Sequence, residues 1–288
     1  LPIVLAGVAA MTFGVADFLG GSAARRVPSV VVAVLAQVAG LILLLTVLFA
    51  LPSALVPAAL LWGALAGAAG GAGIPLLYRA LAAGPMNVVA PLVALTSSVL
   101  PVLVGTLLGE RPSATAWAGI ALAVVAGVVV GMTAPEPVSE RSTRGALAGI
   151  TLALVSGVCF GGFYTLVAQA PAEGGLWPVT VARMTGTVLA VLVLLAALRG
   201  GGLTVGALRP NAGAWRLAAA CGALDAAANA LYLLAVQQGQ LAVMGALMGM
   251  YPASTVLLAR WLDGEKIAPL QRVGLVLAIP ALLMVGAG

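Results

Sequence analysis

LLGERPSATAWAG at residues 107–119 and WLDGEKIAPLQRVG at 261–274 set the same acid–base turn at the edge of two apolar runs. Each reads Gly-Glu-base with a second glycine ten residues past the first. The first has Gly109, Glu110, Arg111 and Gly119; the second has Gly264, Glu265, Lys266 and Gly274. The recurrence carries weight because charge is scarce: 7% of residues are charged, 62% are hydrophobic, and there is no histidine. A soluble domain carries about 25% charged residues, so this chain cannot cover a globular surface with polar groups. Its solvent is a bilayer.

A chain in lipid must satisfy its backbone internally, as helices or as a closed barrel. The apolar runs are about 20 residues or longer rather than ~10-residue alternating strands, which selects helices. Breaks at proline, glycine and charge clusters predict ten spans, near 3–22, 28–50, 58–82, 86–108, 113–133, 145–169, 176–198, 213–237, 241–262 and 268–286. Residues 1–22 lack the basic start of a signal peptide and are followed by further spans. Cys159 and Cys221 each lie inside an apolar run and offer neither a disulfide framework nor metal spacing. Basic residues are scattered through short loops, so nucleic acid is not an expected partner. The expected surroundings are lipid, with the chain a monomer or weak homodimer.

The polar stretch APEPVSERSTRG (134–145) divides the spans five and five. A shift of 155 superimposes Gly84 on Gly239, Gly109 on Gly264, Glu110 on Glu265 and Gly119 on Gly274. At another shift, Gly14-Val15 falls on Gly157-Val158. This order predicts a duplication, with one repeat at 1–133, a connecting loop at 134–144 and a second repeat at 145–288. Five is odd, so the second repeat enters the membrane from the opposite face, and inverted repeats commonly enclose a midplane substrate site. The fold class expected is all-α integral membrane, two inverted five-helix repeats around a central cavity.

With these hairpins, the duplication and TFGVADFLGGSAARR (12–26), the chain resembles ten-span members of the drug/metabolite transporter superfamily with two EamA-type domains. The resemblance implies a multi-pass secondary transporter of a bacterial-type cytoplasmic membrane, often exporting amino acids or other small metabolites. It also implies a cavity lined mainly by spans 1, 3, 4, 6, 8 and 9. Ser97 stands where the second repeat has Pro252, a departure from the pattern. Orientation is open: basic residues concentrate in the loops after odd-numbered spans, which places both termini outside, whereas the resemblance implies cytoplasmic termini.

Ionisable groups inside spans usually face a cavity or a partner. Asp17 and Asp225 are the acids well inside spans, and with no histidine in the chain they are the proton-coupling candidates. Asp225, Asn229 and Tyr232 fall at i, i+4 and i+7 on one helix face, either a substrate wall or an interhelical hydrogen-bond cluster. Their counterparts in span 3 are Gly71, Pro75 and Tyr78. Ser156, Phe160 and Tyr164 form a stripe of span 6 opposite Phe13 and Asp17. Its rings suit a planar or apolar substrate group and equally suit core packing. Met244, Met248 and Tyr251 share a face of span 9, and Ser97 gives span 4 a polar spot beside Thr96 and Ser98. Arg79 reads as a snorkelling end residue or a partner for Asp17; Arg183 reads as structural, outside the cavity. The expected substrate-binding set is therefore Phe13, Asp17, Tyr78, Ser97, Phe160, Tyr164, Asp225, Asn229, Tyr232, Met248 and Tyr251.

These residues point to a secondary active transporter of a small metabolite. An amino acid or amine-bearing compound is favoured, since two buried acids with few bases suit a zwitterion or a cation. Export by alternating access is expected, with proton coupling as one mode and a facilitative uniporter or exchanger, a channel or a membrane enzyme as the alternatives. No cofactor or metal is expected, and an enzyme has poor support: no cysteine cluster, no Walker loop and no close carboxylate pair. The two hairpins read as helix-entry devices, each Glu near the positive N-terminus of the helix that follows.

Overall fold

The computed structural model describes residues 1–50, 53–83, 86–131, 143–203, 211–262 and 267–287. Eleven α-helices account for nearly all of them, and among the described residues there is no strand. The first five are α1 (Pro2–Ala24), α2 (Ser29–Ala50), α3 (Pro57–Ala83), α4 (Met86–Leu107) and α5 (Ala114–Gly131). After them come α6 (Thr143–Ala168), α7 (Trp177–Arg199), α8 (Ala212–Val236), α9 (Leu241–Met248), α10 (Pro252–Leu262) and α11 (Pro269–Ala287). The loop expected to join the two halves lies outside the described residues, apart from the first turn of α6.

Burial follows bilayer logic. Ala6, Ala9, Ala66, Ala123 and Ala226 are buried between helices, while Ile42, Val188, Val276 and Leu283 stand exposed on the outside. Small residues let helix backbones approach, and the large apolar ones meet lipid. Among the described residues, eight stretches are long and apolar enough to cross a membrane, with α9 and α10 together making one of them; α4 and α5 contribute shorter apolar runs, 92–107 and 114–130. Length alone therefore does not reach the ten spans expected from sequence. The fold is an all-α, multi-pass membrane protein.

Helix packing repeats itself. α3 lies along α6, and α1 along α8; α3 touches α7, and α2 touches α8; α4 meets α6, and α1 meets α9 and α10. Between these matched pairs run α2 on α7, α4 on α9 and α5 on α11. The seam between α5 and α11 is matched residue by residue. A Cβ on Gly119 would lie 2.7 Å from Val285 N and near Ala281, and one on Gly274 would lie 2.8 Å from Val130 N and near Ala126. Gly119 and Gly274, Val130 and Val285, Ala126 and Ala281 are each 155 positions apart. The second glycine of each opening stretch is thus explained by this crossing, where no side chain fits.

The ninth span is broken. Pro252 has no N–H to donate to Met248, and the ladder shifts from i−4 to i−3 partners. Met250 N–H bonds Leu247 O at 3.1 Å, Tyr251 N–H bonds Met248 O at 3.2 Å and Ala253 N–H bonds Met250 O at 3.0 Å. Residues 249–251 form a turn between α9 and α10. Pro75 and Pro280, by contrast, sit inside helices that continue through them.

The first hairpin does something other than open α5. Gly109 adopts φ +95°, the left-handed conformation that ends α4, with Gly109 N–H on Thr106 O at 3.1 Å and Glu110 N–H on Gly105 O at 3.0 Å. Ser113, not Glu110, caps α5, its Oγ accepting Ala116 N–H at 3.1 Å. The Glu110 carboxylate instead reaches the other half of the chain, accepting Leu241 N–H at 2.6 Å and Ala242 N–H at 2.9 Å at the start of α9. It satisfies two unpaired donors and faces the positive end of that helix. Sequence spacing could not show this, because the partner lies 131 positions away. The corresponding Gly264, Glu265 and Lys266 lie outside the described residues.

Candidate functional site

A cavity of about 370 Å³ lies among α1, α2, α3, α4, α6, α7, α8 and α9. That volume is within the usual range for small-molecule sites. Gly67, Gly70 and Gly71 of α3, Gly245 of α9 and Gly249 at the break after it line the cavity, and a Cβ on any of them would press on a neighbouring helix. Phe13, Phe160, Phe163 and Tyr164 bring aromatic surface to it. Tyr164 is held edge-on by Phe13 at 6.3 Å and by Phe163 at 5.5 Å between ring centres.

Of the residues read from sequence, Phe13, Asp17, Ser97, Phe160, Tyr164, Asp225, Asn229, Met248 and Tyr251 all line this cavity. Tyr232 does not. It is fully buried behind Tyr164, its ring centre 4.9 Å away and its hydroxyl donating to Tyr164 O at 3.2 Å. It supports the aromatic wall from behind. The side chain of Tyr78 lies outside what is described. Ser156, on the same stripe as Phe160, points away and donates to Gly73 O at 2.9 Å, fastening α6 to α3. Ser97 and Ser98 both donate to Ala94 O, at 3.0 and 2.7 Å, so they return bonds to their own helix.

The polar wall differs from expectation in one residue above all. Arg183, read from sequence as structural and outside the cavity, lines it with Val179, Ala182 and Gly186 of α7. Gln37 and Ala33 add α2, so the lining extends beyond the spans that the family resemblance implied. The Arg183 guanidinium bonds Gln37 Oε1 through Nη1 at 2.5 Å and pairs through Nη2 with Asp225 Oδ2. Asn229 donates through Nδ2 to Asp225 O at 2.8 Å and to Asp225 Oδ2 at 3.3 Å. Three helices, α2, α7 and α8, are joined by this network. A signal for it existed: an arginine inside an apolar span needs a counter-charge, and Asp225 was available.

Asp17 is the opposite case. It has no hydrogen bond or ion pair among the described residues, and its side chain is open to the cavity. No pair with Arg79 forms; Arg79 is exposed, as a snorkelling residue would be. No group of three or more metal-ligating side chains occurs among the described residues.

Helices, outward apolar faces and internal cavity define the class: an integral, multi-pass membrane protein with a cavity among its helices. The comparisons narrow it. Residues 147–287 match the EamA-like transporter family, in agreement with the drug/metabolite transporter resemblance. That match points to a membrane transporter of small molecules. A solved structure titled only "Crystal structure of protein" is similar at 20% identity and TM-score 0.75, over 99% of this chain and 97% of its own. At that identity the likeness speaks for the fold alone, from end to end. No curated protein matches the chain.

Proposed function

We propose that this protein is a secondary active carrier that exports a small amine-bearing metabolite, amino acids included, across the cytoplasmic membrane by alternating access. The observation that carries the reading is a small-molecule-sized cavity with two carboxylates on its wall, bounded by helices from both halves of the chain. Nothing in bulk solvent would require acids at that depth; a substrate amine or a proton would. The matched helix pairs and the mirrored glycines of the α5–α11 seam support two inverted repeats, 1–133 and 145–288. Such repeats rock around a fixed site. The broken ninth span adds a second support, because discontinuous helices commonly border substrate and ion sites in carriers of this kind.

Carboxylates are the groups available to carry a proton, since the chain has no histidine. Efflux of labelled amines and amino acids from proteoliposomes under an imposed pH gradient tests this coupling. The expected result is gradient-driven flux that collapses when Asp17→Asn and Asp225→Asn are combined. Flux unchanged in the double variant would refute proton coupling through these acids and leave the facilitative uniporter or exchanger as the reading.

A further inference from the structure

The polar wall of the cavity is short of donors. Asp17 has no partner among the described residues. Asp225 spends Oδ2 on Arg183 and Asn229, while its Oδ1 accepts nothing. Asn229 is 8% exposed, and its Oδ1 is buried without a hydrogen bond. The orientation of that amide is set by its surroundings: its nitrogen faces two acceptors, Asp225 O and Oδ2, so the oxygen must be the free end. An unsatisfied buried acceptor is costly, and here it belongs to a side chain bonded to the Asp225 carboxylate. The described cation on the wall, Arg183, is itself 9% exposed and committed to Asp225 and Gln37. With Asp17 ionised, one negative charge on the wall has no counter-charge among the described residues.

From this balance we infer that the cavity binds an organic monocation: a protonated amine on an apolar, ring-sized body. The ammonium group is held by Asp17 with the free oxygen of Asp225. An ammonium carries three N–H donors and no acceptor, which suits carboxylate oxygens that lack donors. The body lies against Phe13, Phe160 and Tyr164, whose faces also attract cations. A zwitterion fits less well. Its carboxylate would enter a wall already one negative charge in excess, where the guanidinium is covered and the Ser97 and Ser98 hydroxyls are spent. The inference rests on the carrier reading and chooses within it, favouring amines over amino acids.

Three probes that share a body and differ in charge test it: phenethylamine, phenylalanine and phenylpropionate. Binding to the purified full-length protein is measured by calorimetry in detergent. Phenethylamine is expected to bind at least about ten-fold tighter than phenylalanine, with phenylpropionate weakest; about ten-fold is the worth of one charge-assisted hydrogen bond. Asp17→Asn should lose a similar factor for the amine, and Asp17→Glu should keep most of the affinity. Phenylalanine binding as tightly as the amine, no amine binding at millimolar concentration, or a folded Asp17→Asn protein that binds unchanged would each overturn the inference. The wild-type ranking decides the charge class even where the variant fails to fold. Transport is read separately: Asp17-dependent amine binding without counterflow in proteoliposomes would sustain the site and defeat the carrier reading. Counterflow of phenylalanine indifferent to Asp17 would do the reverse.

Discussion

The seam between α5 and α11 and the wall of the cavity treat the two halves of the chain in opposite ways. At the seam, the glycine of each helix meets the same pair of positions on the other, 155 residues apart in every case. In the cavity the correspondence fails: Asp225 and Asn229 of α8 answer Gly71 and Pro75 of α3. Arg183 and Gln37 then complete a polar cluster on the α8 side, while Gly67, Gly70 and Gly71 line the α3 side. The α4 and α9 helices differ likewise, since α4 runs unbroken through Ser97 and the ninth span breaks before Pro252. The seam is alike on its two sides, and the polar cluster of the cavity has no such counterpart.

The largest effect should come from the divergent side. Arg183→Leu leaves Asp225 without its counter-charge. The cost is about 3 kcal/mol, the low end for breaking a buried pair, because 31% of the Asp225 side chain is open to the cavity. Thermal unfolding in detergent should show the loss, and Arg183→Leu with Asp225→Leu should recover more than half of it. A double variant no more stable than the single one would mean that the arginine acts through packing.

On the matched side, Gly119→Leu and Gly274→Leu each force a side chain into backbone, at a cost of about 2 kcal/mol. The two values should agree within about 1 kcal/mol, since overpacking costs follow local geometry. A large inequality would break the correspondence at the seam. Glu110→Ala removes a cap joining the two halves and should lower stability by about 1 kcal/mol. Hydrogen exchange should rise at the start of α9 and not at α5, which Ser113 caps. The smallest effect on folding is expected from Asp17→Asn, which removes a charge that no described residue pairs; its melting temperature should hold or rise while amine affinity falls.

Much of this arrangement was legible in the sequence because hydrophobic run length and residue repetition are local properties. The apolar runs, the two matched hairpins, and the i, i+4 placement of Asp225 and Asn229 needed no partner to be read. What escaped were contacts between distant elements. Glu110 sits beside α5 in sequence and binds α9 in space. Arg183 became part of the site only once α7 was seen to lie against α2 and α8. Tyr232 shares a face with Asp225, yet Tyr164 covers it, and helical spacing says nothing about which neighbour stands in front. The break at 249–251 was half visible, since Pro252 marks the missing bond while the shift to i−3 partners depends on how α9 packs.

Counterflow in proteoliposomes is the measurement that bears most directly on the central claim that this cavity serves a carrier. Vesicles preloaded with unlabelled phenethylamine should take up the labelled amine transiently above equilibrium, saturably, and lose that uptake with Asp17→Asn. Uptake that rises linearly with concentration and never overshoots would contradict a carrier and indicate an open pore.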